Sequence, residues 1–164
     1  MSTSTTAPLP SQTPQRPPSR LVARTRDLLA AHSVTLLRVS LGLVFVAFGI
    51  PKLVPGLSPA EDLASATIEV LTLGLVGGQA AVFLTAVIET VIGLTLLTGR
   101  LLKVGLVMLA VALVGIMSPL VLFPDLMYAG GPSLEAQYVF KDIVLAAAGL
   151  VVGAHALGAR LRTS

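Results

Sequence analysis

Four apolar runs, each close to twenty residues long, constrain this chain more than anything else in it. They cover about residues 33–53, 78–97, 101–123 and 138–157. About 20 helical residues cross a hydrocarbon core of about 30 Å, and a helix satisfies its own backbone polar groups there, where water cannot. The runs therefore predict an all-α membrane protein, a four-helix transmembrane bundle. Composition agrees, since 54% of the 164 residues are hydrophobic and only 12% are charged. A soluble domain carries about 25% charge. Mean hydropathy is +0.90.

The breaks between runs are chemically ordinary. Thr98, Gly99 and Arg100 make a tight polar interruption between the second and third runs, and Pro119 and Pro124 end the third. Between the first two runs, Ser58, Pro59 and Glu61 stand in the order of an N-cap, a first-turn proline and a capping-box acid. They predict a helix over 58–73, too polar to span because of Glu61, Asp62 and Glu69, and so a short interfacial helix between spans 1 and 2. Gly77 and Gly78 read as a hinge before the second span.

Three domains are expected. Residues 1–32 form a Ser/Thr/Pro-rich cytoplasmic tail, disordered to about residue 19, followed by a basic juxtamembrane segment. That segment, 20–32, reads as a short helix on an anionic inner leaflet, or else as a continuation of the tail. Residues 33–157 are the membrane domain, and 158–164 a C-terminal tail. No cleaved signal peptide is expected, because no basic region followed by a short apolar stretch opens the sequence.

Arg16, Arg20, Arg24, Arg26, Arg100, Lys103, Arg160 and Arg162 all fall on one side of a four-span layout. The opposite loops hold Glu61, Asp62, Glu69, Asp125 and Glu135. The positive-inside rule then puts both termini in the cytoplasm of a cell whose inner membrane the chain crosses. The basic residues are this topology signal, and nucleic-acid binding has no support in the sequence.

Charges within the spans are the functional candidates, because an ionisable side chain in the bilayer is costly unless paired, protonated or facing water. Arg38, Gly42, Phe45, Gly49 and Lys52 are spaced 4, 3, 4 and 3 residues apart and share one helix face. The glycines on it admit a neighbouring helix closely, which makes the charged stripe a packing stripe. Glu89 stands near the middle of span two with Gly93 one turn on, and Arg38 is its expected partner, the alternative being that Arg38 snorkels to the headgroups. Lys141 and Asp142 fall about a turn inside span four, near Lys52 in depth. Asp142 pairs with Lys52 in this reading, or is solvated at the interface. Asp142, Ala146, Gly149 and Gly153 form a second small-residue stripe. His32 and His155 sit at span ends and read as interfacial residues rather than ligands of a haem. With no cysteine in the chain, disulfides, thiolate catalysis, iron–sulfur ligation and cysteine zinc sites are excluded within it. No metal site is expected, and no phosphate-loop, dinucleotide, zinc-protease or nucleophile-elbow pattern is present.

With these residues in view, the chain resembles the DoxX family of small four-helix bacterial membrane proteins. The likeness rests on LLRVSLGLVFVAFGIPKLVPGLSP, AVIETVIGLTLLTGR and PSLEAQYVFKDIVLAAAGLVVGA, and with the layout it covers about residues 33–157. The resemblance implies a membrane subunit of a redox system linked to quinone or to thiol and sulfur chemistry, with a soluble or membrane redox partner. In that setting Arg38, Glu89, Lys52 and Asp142 would bind a quinone headgroup or a small sulfur species, with Glu89 as proton carrier. A small-solute transporter or channel, and a non-catalytic scaffold, are the other readings of the same charges.

Overall fold

A computed structural model of the chain describes residues 19–159. The expected disordered tail before residue 19 and the basic pair Arg160 and Arg162 lie outside the described residues. The described residues divide into two compact units, one up to His32 and one from Ser33 onward. In the first, residues from Arg20 onward are helical, with an exposed Arg26–Asp27 ion pair at 2.9 Å. His32 Nδ1 lies 3.0 Å from the Leu28 carbonyl oxygen.

Every described element is helical. Helix α1 spans Arg20–Gly49 and is followed by a single 3₁₀ turn, Pro51–Leu53. Then come α2 (Glu61–Leu71), α3 (Gly78–Thr98), α4 (Leu102–Met117), α5 (Pro119–Leu122), α6 (Pro124–Tyr128), α7 (Leu134–Phe140) and α8 (Asp142–Ala156). Four stretches are long and apolar enough to cross a membrane: Arg20–Leu53, Gly78–Thr98, Leu102–Leu122 and Leu134–Ala156. The molecule is thus a four-span membrane bundle, with α2 inserted between the first two spans and too short, at 11 residues, to cross.

Local chemistry sets the boundaries. Helix α3 ends where Gly99 adopts a left-handed φ of +69° and its N–H returns to the Thr95 carbonyl. Ser133 caps α7 by accepting the Ala136 N–H at 3.0 Å. Helix α2 begins at Glu61 rather than at Ser58 as the sequence predicts. The Glu61 carboxylate accepts the N–H groups of Gly56 and Ser58, at 3.0 and 3.2 Å. That half of the capping box holds the preceding loop as a turn instead of a first helical turn.

The bundle is apolar on both faces. On α4, Val104, Val107, Val111 and Val114 point outward and are exposed, whereas Gly105, Leu109 and Leu113 are buried. Such a surface suits lipid. Inside, Leu41, Phe45, Ile92, Leu96, Leu109, Leu113 and Ala148 form one cluster. Where two helices come closest, glycine makes it possible. A Cβ on Gly42 would lie 3.0 Å from the Gly93 carbonyl oxygen, and one on Gly93 would lie 2.8 Å from the Gly42 carbonyl oxygen. A Cβ on Gly49 would meet Thr90 N at 2.8 Å, and one on Gly149 would meet Leu109 Cδ2 at 3.0 Å. Gly153, on the same sequence stripe as Gly149, has nothing within 4 Å of such a Cβ.

Backbone carbonyls cannot move aside as side-chain tips can. Gly42→Val and Gly93→Val should each lower the melting temperature in detergent by many degrees, whereas Gly153→Ala should leave it unchanged. Circular dichroism melts of the three variants check this, and equal behaviour of Gly93→Val and Gly153→Ala would refute the packing account.

Candidate functional site

The contacts of the glycines fix the register of α1 against α3. Gly42 faces Gly93 and Leu97, and Gly49 faces Ala86 and Thr90, so the two run antiparallel. By that register Arg38 faces Gly99 and lies about ten residues, roughly 15 Å, from the level of Glu89. This is too far for a side chain to bridge. The expected Arg38–Glu89 pair is therefore not formed.

Glu89 is held by Lys52 instead. After Gly49 the chain leaves the α-helical path at Pro51, and the 3₁₀ turn carries Lys52 inward. Its Nζ donates to Glu89 Oε1 at 2.7 Å and to Oε2 at 2.6 Å. Both residues are buried, with 5% and 7% of their surfaces exposed. Lys52 makes no hydrogen bond or ion pair to Asp142 among the described residues, so the expected Lys52–Asp142 pair is not formed either. Lys52–Glu89 is the only described ion pair with buried partners.

Arg38 has a different task. Its Nη1 donates to the Leu96 carbonyl at 2.6 Å. That carbonyl belongs to the last turn of α3, where four acceptors lack helical partners and the helix dipole favours a cation. Gly99 leaves the space, since a Cβ there would stand 2.7 Å from Arg38 Nη1. Arg38 thus neither snorkels freely nor joins the buried charge cluster.

Asp142 opens α8 and is 9% exposed. Among the described residues no group donates a hydrogen bond to its carboxylate, although Lys141, Glu89 and Lys52 all act on its charge. Lys141 Nζ sits 3.4 Å above the centre of the Tyr138 ring, a cation–π contact. Tyr138 in turn meets Phe48 edge-on, at 5.6 Å between ring centres and 65° between planes. The buried Thr90 Oγ1, which faces Gly49, has no partner among the described residues. His155 lies in the last turn of α8 and is exposed.

Lys52, Glu89, Asp142, Tyr138 and Phe48 are among the side chains that line a cavity of about 400 Å³. Lys52, Glu89, Asp142, Tyr138, Thr67 and Thr85 give it polar groups, and aliphatic and phenyl side chains supply most of the remaining wall. Leu71, Val111 and Val114 both line it and are exposed, so it opens at the bundle surface between α2 and α4. The structure thus brings together Lys52, Glu89 and Asp142, sets Lys141 beside them through Tyr138, and leaves Arg38 apart.

Tyr138 and Thr85 escaped the sequence reading although each stands one turn before a charge that it singled out. The i, i+4 spacing to Asp142 and to Glu89 was the available signal. Thr67 had none, because only the fold brings α2 over the cavity.

Four apolar spans around a buried ion pair and an apolar cavity define a multi-pass integral membrane protein. The DoxX family model matches residues 33–123, more than half of the chain. The chain belongs to the DoxX family. The match ends before α7, so Tyr138, Lys141 and Asp142 lie outside it. No curated protein and no solved structure matches the chain.

A buried pair is costly to break and cheap to replace as a unit. Glu89→Gln or Lys52→Met alone should each cost about 3–5 kcal/mol, and the double change should recover most of that loss. Arg38→Met combined with Glu89→Gln should instead be additive. Melting temperatures of the purified variants separate the two pairings.

Proposed function

We propose that this protein is the membrane subunit of a redox system, and that its cavity is where a quinone headgroup or a small sulfur species is handled. What supports this reading is the cavity itself, a largely apolar space on whose wall a buried ammonium–carboxylate pair and a second carboxylate stand together. Binding sites for small molecules have this make-up, mostly apolar with a few placed polar groups. Reduction of a quinone to a quinol consumes two electrons and two protons. Oxidation of two thiols to a disulfide releases the same number of each. A chain without cysteine needs a partner protein or a soluble thiol to carry that half of the reaction. Glu89 is the proton carrier in this scheme. Lys52 holds it in place and compensates its charge when it is ionised.

Both termini face the cytoplasm of a bacterial cell in this reading, with the Arg100 loop inside and the Pro132 loop outside. The absence of native cysteine makes that easy to check. Arg100→Cys and Pro132→Cys, labelled in intact cells with a membrane-impermeant maleimide, should react only at the second position.

Activity is tested with membrane vesicles given a short-chain quinone and a dithiol donor. Vesicles containing the protein should form quinol faster than vesicles lacking it. The double variant Lys52→Met with Glu89→Gln should stay folded and lose that excess. Unchanged quinol formation by the folded double variant would overturn the role of Glu89. Solute flux in liposomes without any quinol formation would replace the redox reading with transport.

A further inference from the structure

The cavity's charges and the unpartnered carboxylate of Asp142 together say what kind of molecule fits it. Lys52 spends its ammonium on both oxygens of Glu89, and Lys141 lies over the Tyr138 ring. Lys52 is the only cation among the described residues that line the cavity, and its charge is already balanced by Glu89, to which it gives two of its three N–H groups, so the wall holds no unbalanced cation to receive an anion. Lys141 lies outside the cavity lining but next to Asp142 in the chain and acts on its charge, so Lys52 and Lys141 against Glu89 and Asp142 balance two charges of each sign around the site. Any ligand charge would leave a net charge in an apolar enclosure, at high cost. Asp142 is nine-tenths buried on the same wall and accepts no hydrogen bond from the described residues. Its oxygens are not among the fully enclosed unpartnered atoms, so they can be reached from the cavity, and a ligand with a donor gives them a partner that the described residues do not. Finally, the opening between α2 and α4 is rimmed by exposed Leu71, Val111 and Val114. Access on this side is along an apolar surface.

We propose that the occupant is a neutral lipophile with an O–H or N–H donor at its head, seated with that donor on Asp142 and its apolar body towards the opening between α2 and α4. This rests on the reading of the cavity as the ligand site and chooses within it. A small anionic sulfur species does not fit, and of the quinone couple it is the quinol, with its O–H donors, and not the quinone, that meets this requirement. Asp142 is a binding residue in this account, distinct from Glu89, whose carboxylate is already satisfied.

The test uses purified full-length protein in detergent and four probes: 4-octylphenol, its methyl ether 4-octylanisole, 4-octylbenzoate and thiosulfate. Native mass spectrometry and ligand-dependent melting give the affinities. The phenol should bind about tenfold more tightly than the ether, the worth of one hydrogen bond in a buried site. The benzoate and thiosulfate should show no saturable binding. Equal affinities for phenol and ether, or tighter binding of either anion, would overturn the proposal, and this comparison needs no variant. In Asp142→Leu, the phenol's preference over the ether should vanish while the ether still binds. Retention of the preference in that variant would overturn the assignment to Asp142. Because the assay involves no electron transfer, its failure is distinct from a failure of quinone reduction. Quinol formation without a phenol preference sinks this proposal alone, and the preference without quinol formation sinks the redox reading alone.

Discussion

An ammonium and a carboxylate in direct contact inside an apolar bundle are what the rest of this structure is arranged around. Neither charge is tolerable alone at that depth, so the elements that carry them must meet. Lys52 arrives on the turn after α1, and Glu89 on the middle of α3. For their side chains to meet, the two helix backbones must come into near contact, which is why glycines stand at Gly42, Gly49 and Gly93. The pair thus dictates register, register dictates which small residues face each other, and those set how far apart the helices stand. Arg38 follows from the same register, since it arrives opposite the last turn of α3 and donates to a carbonyl there.

The cavity is a further product of that constraint. With α1 and α3 drawn tightly together on one side, the polar ends of Lys52 and Glu89 face α2, α4 and the junction of α7 with α8. Those elements bring mostly aliphatic surface, so the charges sit at the edge of an apolar space and not in a polar channel. Water has little to bind on the aliphatic part of such a wall, which sharpens every electrostatic contact on the polar part.

Much of this was legible in the amino-acid order. The four spans could be read from run length alone, because the bilayer sets a length that few other environments demand. The stripe from Arg38 to Lys52 could be read from spacing, and so could the exceptional position of Glu89. Partner choice could not. Whether Arg38 or Lys52 reaches Glu89 depends on where α3 slides along α1, a register that brings together residues some fifty positions apart, Gly42 and Gly93. The start of α2 was misplaced because Glu61 uses its carboxylate on Gly56 and Ser58, which folds the preceding residues into a turn. The role of α2 as a wall of the cavity has no local signature, since Thr67 and its neighbours look like any amphipathic surface helix until α4 is placed beside them.

For the ligand proposed above, the opening between α2 and α4 changes which concentration governs occupancy. A mouth rimmed by leucine and valine on the lipid-facing side samples molecules dissolved in the acyl chains, not those in the surrounding water. Saturation is then set by mole fraction within the leaflet, and encounter is a search in two dimensions. Partitioning, more than aqueous supply, would decide which molecules of a cell ever reach Asp142.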